Sequence, residues 1–165
     1  MTKPDITSEI IYEDKRIRIN WFDLVGKELP NLKWGQVYAI GDLDGLVPIV
    51  NYEDKHDNLP GGGTELGETV EQTLVRELDE ELKMKVVSWE PLGYQEWIDI
   101  DTQNMGYGLR VYAKLEKVEE FTNDPGGSVV GHSLVTIEEL NDYIGYQKIG
   151  DRMVELAKMI REKSL

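Results

Sequence analysis

Residues Leu59 to Met84 hold the side chains best placed to do chemistry. Glu77, Glu80 and Glu81 fall at i, i+3 and i+4, downstream of the triplet Gly61, Gly62 and Gly63. On a helix turning about 100° per residue, the three carboxylates share an arc of about 100°. Leu74, Leu78, Leu82 and Val75 form the apolar stripe beside that arc, while Gln72, Asp79, Lys83 and Arg76 fall on the solvent side. The acidic arc therefore borders the buried face. Like charges so spaced repel by roughly 0.2–0.5 kcal/mol per pair on an exposed helix, and by more where burial strips away water. A hard divalent cation removes both penalties. Mg²⁺ takes oxygen ligands, keeps several waters and shares its site with phosphate; Mn²⁺ is the alternative. With no cysteine and only His56 and His132, a soft or imidazole-rich metal site is disfavoured. The glycines permit close backbone approach to a phosphate chain. The plain reading is a solvated acidic helix after a Pro-Gly turn. The fixed distance between loop and helix favours a phosphate-and-metal site.

Thr69, with Gln72 three residues on, is a capping-box signature that starts the helix near Val70. Upstream, Ile10 to Tyr12 and Ile17 to Asp23 read as strands around a Glu-Asp-Lys-Arg turn, followed by strands Leu32 to Ile40 and Leu46 to Tyr52. Asp44-Gly45 predicts a hairpin pairing Val37–Ile40 antiparallel with Val47–Asn51. Downstream, Val86 to Trp89, Leu92 to Ile100 and Tyr107 to Leu115 read as strands, the last two as partners. Asn123 to Gly127 is a loop, and Ser133 to Ile137 a short strand leading into a second capping box at Thr136 and Glu139. Ile149, Met153, Leu156 and Ile160 form a helical stripe. The architecture expected is mixed α/β, a sheet with strands in several directions covered by at least two long helices.

A chain of 165 residues and 18.9 kDa reads as one domain over 1–165, with residues 1–33 as N-terminal strands or an extension. Its net charge of −14 disfavours nucleic acid and anionic membranes as partners at long range. The same charge is also simply a solubility device. Without cysteine there is no disulfide framework, thiolate metal site or cysteine nucleophile. No apolar run approaches the roughly 20 residues of a membrane span, and the N-terminus lacks a signal-peptide pattern. A cytoplasmic location is expected.

The central segment resembles the Nudix box, Gly-x5-Glu-x7-Arg-Glu-U-x-Glu-Glu-x-Gly-U, with U bulky and apolar. Gly62, Glu68, Arg76, Glu77, Leu78, Glu80, Glu81 and Met84 occupy matching positions. Lys83 stands where the family has glycine, and Thr73 and Leu74 where small alanines are frequent. The resemblance implies a Nudix-like α/β/α sandwich with a central mixed sheet and the box as loop–helix–loop. It also implies Mg²⁺-dependent hydrolysis of a pyrophosphate bond in a nucleoside diphosphate linked to another moiety. The substrate would be a nucleotide sugar, ADP-ribose or a nucleoside triphosphate. Glu77, Glu80 and Arg76 are the expected catalytic group, and Gly61, Gly62, Gly63 and Glu68 the phosphate loop. Gly61, through its carbonyl, with Glu77, Glu80 and Glu81 would hold the metal; Arg76 would orient Glu68 or a helix carboxylate. A general base outside the box would come from Glu119, Glu120 or Asp124. Trp34, Tyr38, Tyr52, Tyr94, Trp97 and Tyr107 are open either to base stacking or to the core. The competing reading is a Nudix-fold nucleotide sensor without turnover. A monomer or homodimer acting on a small nucleotide is expected.

Overall fold

Glu13 and Asp14 both take left-handed backbone angles, φ 48° and 63°, and join β1 (Ile6–Tyr12) to β2 (Lys15–Asp23). Such a two-residue turn matches the twist of a hairpin, and the strands pair in register from Tyr12↔Lys15 to Ile6↔Trp21. The computed structural model describes residues 2–54, 56–125 and 128–164; Gly126 and Gly127 of the expected loop lie outside them. β2 adds antiparallel to β7 (Met84–Asp99), so the N-terminal hairpin joins the main sheet.

That sheet also contains β3 (Trp34–Asp42), β6 (Gly61–Gly63) and β8 (Met105–Lys117), in the order β1-β2-β7-β8-β3-β6. Its neighbours pair antiparallel except for β3 and β8, which run parallel. A second, three-stranded sheet places β4 (Val47–Tyr52) between β5 (Asp57–Asn58) and β9 (Val129–Val135).

The expected pairing of Val37–Ile40 with Val47–Asn51 does not form. Asp44-Gly45 does turn the chain, and Leu43 and Leu46 exchange backbone hydrogen bonds of 2.9 and 3.1 Å. Beyond that bridge β3 and β4 part into different sheets. The edge β4 would need is taken by the glycine segment. Gln36, Val37 and Tyr38 pair with Gly63, Gly62 and Gly61, and the Ala39 N–H donates to the Pro60 carbonyl at 2.9 Å. The box therefore opens on a short strand before its loop. A second correction concerns Val86–Trp89 and Leu92–Ile100, which are one strand, β7, with register shifts at Val86/Ser88 and Pro91/Gly93. Pro91 has no N–H to donate and sits where pairing is already broken.

Helix α1 (Val70–Leu82) covers one face of the main sheet, burying Leu74, Leu78 and Leu82 with Val37, Ala39, Leu109 and Val111. Each such leucine contributes about 1.5–3 kcal/mol by leaving water. Val75, expected in this stripe, lies at its edge and is 47% exposed. Helix α3 (Gln147–Lys163) covers the other face, burying Ile149, Met153, Leu156 and Ile160 with Ile40, Leu92 and Tyr112. Alternation along β3 sends Val37 and Ala39 to α1, and Tyr38 and Ile40 to α3. The result is an α/β/α sandwich around a mixed sheet. The short α2 (Leu140–Ile144) follows reciprocal bonds between Thr136 and Glu139. Among the described residues no helix is long and apolar enough to cross a membrane.

Candidate active site

Thr69 Oγ1 accepts the Gln72 N–H at 3.1 Å, and Gln72 Oε1 accepts the Thr69 N–H at 2.9 Å, so the capping box forms. The helix ends at Lys83, whose φ of 55° and ψ of 41° are left-handed and whose N–H donates to the Asp79 and Leu78 carbonyls. Lysine thus adopts the glycine geometry, and the helix does not run on. Between these two caps the helical register carries its glutamates to the β6 edge.

Glu81 is 4% exposed and accepts the Gly61 N–H at 2.7 Å through Oε1. Burial pushes its carboxyl up to about 8; the Gly61 N–H opposes this, while repulsion from Glu77, Asp124 and Glu80 adds to it. Glu77 is pressed against Gly62 and is also raised, by burial first, with Arg76 opposing and Glu80 and Asp124 reinforcing. Two carboxyls whose charged forms burial and mutual repulsion disfavour are relieved by a cation beside them.

Arg76 ties the site together. It starts on the solvent side, as helical geometry predicts, yet its guanidinium folds back over the loop. Nε meets Glu68 Oε1 at 2.6 Å, Nη1 meets Glu77 Oε1 at 2.9 Å, and Nη2 reaches the Gly63 carbonyl at 2.9 Å. Glu80 Oε2 is 3.5 Å from Nη1. Glu68 also accepts the Thr73 hydroxyl and the Glu65 N–H, each at 2.9 Å. Arg76 first, then these donors, hold Glu68 down to about 2. Thr73 therefore explains one departure from the family pattern: in place of a small apolar contact it supplies a hydroxyl tether for the loop acid.

The three loop acids separate. Asp124 is electrostatically coupled to Glu77 and Glu81, and its Oδ2 accepts the Val129 N–H at 3.1 Å. Glu120 pairs with Lys117 at 2.6 Å on the exposed surface, and Glu119 is exposed beside it. Among the aromatics, Phe22 stacks on Tyr94 at 4.7 Å, and Trp34 and Tyr107 meet Tyr94 edge-on, a packed cluster. Trp97 is 37% exposed and lines a separate cleft. Tyr38 and Tyr52 instead lie near Glu81 and Glu77. Tyr146, which nothing in the local pattern marks, reaches the same region and donates to Asn58 Oδ1. Arg110 also escapes the motif. Its one signal is a lone cation inside the apolar run Leu109–Ala113.

Among the described residues, no three acidic or histidine side chains already converge on one point. Arg76 holds Glu77 and Glu80, and Gly61 meets Glu81 through its N–H, whereas the expected ligand is its carbonyl. The donor set nevertheless fits a hard cation. It is all oxygen, crowded and partly buried, and among the described residues the cation paired with it is Arg76.

The NUDIX domain family model matches residues 46–156, and the chain belongs to this family. It is a Nudix-type hydrolase. The match takes in the box and the helix that carries it, whereas β1 to β3 precede it. A pyrophosphohydrolase of Bacillus subtilis, solved as a point mutant, has TM-score 0.70 at 19% identity over 92% of this chain and 96% of that one. A NUDIX hydrolase of Nitrosomonas europaea has TM-score 0.62 at 17% identity over 77% and 90%. An ADP-ribose pyrophosphatase of Streptococcus suis has TM-score 0.55 at 17% identity over 76% and 90%. At these identities the likeness is one of fold. No curated relative matches the sequence.

Proposed function

We propose that the chain hydrolyses a pyrophosphate bond in a nucleoside diphosphate linked to another moiety, with Mg²⁺ or Mn²⁺ as its cation. The substrate class is a nucleotide sugar, ADP-ribose or a nucleoside triphosphate, met in the cytoplasm. The observation that carries the reading is Glu81, buried and bonded to Gly61, with Glu77 against Gly62 and Glu80 beside them. The names borne by the Bacillus and Streptococcus structures support the same bond class.

In this reading Glu80 and Glu81 hold the cation, with the Gly61 carbonyl. When bound, the cation neutralises phosphate oxygens and acidifies the attacking water. Glu77, fixed by Arg76, orients that water or adds a ligand. Arg76 is a positioning residue: it joins Glu77 and Glu80 to the loop acid Glu68 and the Gly63 carbonyl. Gly61, Gly62 and Gly63 let the phosphate chain approach the backbone. Asp124 is the loop acid best placed to take the proton, being the one coupled to Glu77 and Glu81.

The test is a nucleotide panel with Mg²⁺ and with Mn²⁺ on wild type and Glu80→Gln. We expect one substrate class to turn over and the variant to lose about 10²-fold or more in kcat/KM, as loss of charge stabilisation at a reacting centre does. Full-rate turnover by Glu80→Gln overturns the ligand assignment. Tight nucleotide binding with no turnover of any substrate makes the chain a sensor.

A further inference from the structure

Arg110 on β8 is 5% exposed. Nη2 donates to Gln95 Oε1 at 3.1 Å and Nη1 to the Leu109 carbonyl at 3.3 Å. Among the described residues, Nε has no hydrogen-bond partner and no carboxylate forms an ion pair with the side chain. Arg76, Arg152 and Arg161, all less buried, each face a carboxylate. A buried cation without a countercharge is costly, and a chain of net charge −14 has carboxylates to spare. The guanidinium lies 4.7 Å over the Tyr38 ring, and it lines a cleft of about 190 Å³ with Ser8, Gln95, Tyr146 and Gln147.

A second observation points the same way. Helix α3 begins at this cleft, with no side-chain cap and no acidic residue in its first turn. Its positive dipole end favours an anion there. Arg110 also stands in register with the box. Tyr38 pairs with Gly61 on one side and with Arg110 on the other, so the three form one row across the sheet. Two strand spacings, roughly 10 Å, separate Gly61 from Arg110.

We propose that Arg110, held by Gln95 and Tyr38 and facing the start of α3, binds a phosphate on the part of the substrate that is not cleaved. The proposal rests on the box being the cleavage site. A guanidinium fork matches two phosphate oxygens. The wall opposite the helix comes from Ser8, Ile10 and Ile19 of the N-terminal hairpin, outside the segment that the family model matches.

The test has two arms. In the first, inorganic phosphate is titrated into the full chain in EDTA, which keeps cations from drawing phosphate to the glutamates, and the backbone amide resonances at the start of α3 are followed in wild type and variants alike. Wild type should bind, and Arg110→Gln and Gln95→Glu should each weaken binding about tenfold or more. Gln95→Glu sets a carboxylate against the guanidinium with little change of volume, so it reports even if Arg110→Gln misfolds. Unchanged phosphate affinity in a folded variant overturns the proposal. In the second arm, KM is compared, with Mg²⁺, for ADP-ribose and for its 2′-phosphorylated form. A preference for the phosphorylated form that both variants lose supports the assignment. Phosphate binding without any such preference overturns it in favour of free phosphate as the ligand. Failure to hydrolyse any substrate counts against the function proposed above and leaves the EDTA titration readable.

Discussion

The backbone of Gly62 runs so close under Glu77 that a Cβ built on it would stand 2.4 Å from the Glu77 Oε1. At Gly61 a Cβ would instead meet backbone, the Val37 carbonyl at 2.2 Å and the Tyr38 Cα at 2.6 Å, at a φ of 146°. A carboxylate tip can swing aside, whereas paired strands cannot. Gly62→Ala should therefore fold normally but lose about tenfold or more in kcat/KM, because Glu77 leaves its position. Gly61→Ala should lose about 1–3 kcal/mol of stability by overpacking. Denaturant melts and steady-state rates on both variants check this; full activity in Gly62→Ala would show that the Glu77 position is unimportant.

Arg76 reaches Glu68, Glu77 and the Gly63 carbonyl with one planar fork. A lysine has the charge without the fork. Arg76→Lys should drop kcat by about tenfold or more, and adding Glu68→Gln should cost little further, since the two act as a unit. A double-mutant cycle in kcat/KM measures the coupling. Simple additivity of the two losses would mean that the latch does not operate as one device.

Asp124 and its neighbours Glu119 and Glu120 make a controlled comparison. Asp124→Asn should lower kcat by about 10²-fold if Asp124 accepts the proton. Glu119→Gln and Glu120→Gln should stay close to wild type, because both side chains lie on the exposed surface away from the glutamates. An equal loss in all three would point to general loop electrostatics.

Lys83 holds a left-handed conformation that disfavours residues with a Cβ. Lys83→Gly should stabilise the fold by about 1 kcal/mol, or about 2–4 °C in Tm. Its Mg²⁺ dependence should not move, since the residue offers no ligand. A lower Tm would mean that the lysine side chain makes a contact worth more than the backbone strain.

Asp23 joins the end of β2 to α3 through Arg152. Burial disfavours its charge, yet hydrogen bonds from Arg152 and Trp21 outweigh that and lower its pKa. Because the folded value lies below the unfolded one of about 3.9, the stabilisation is present above that pH. It is lost as pH falls through the folded value. The stability gap between wild type and Asp23→Asn should thus narrow on going from about pH 6 to below about pH 3. Urea melts at several pH values test this, and a gap that widens on acidification contradicts it.

Local signals carried much of the site. Spacing alone set Glu77, Glu80 and Glu81 at the border of the buried stripe, and Thr69 and Gln72 marked the helix start that the structure shows. The apolar periods of both long helices named their buried leucines, isoleucines and methionine, with Val75 misplaced only at the margin. These features depend on residues within a few turns of each other. The departures arise where distant segments compete for one place. Asp44-Gly45 makes its turn, but the Gly61–Gly63 strand wins the edge of β3, so the hairpin never extends. Arg76 leaves the solvent side because Glu68, Glu77 and Gly63 meet above it. Arg110 lies far from the box in sequence, and strand pairing alone puts it one strand from Tyr38. The amino-acid order by itself determined the box, its cap and the reaction class they imply. Only the tertiary structure decided which edge the glycines occupy and which cation faces the cleft beyond them, because sheet pairing is settled by long-range competition that no local period encodes.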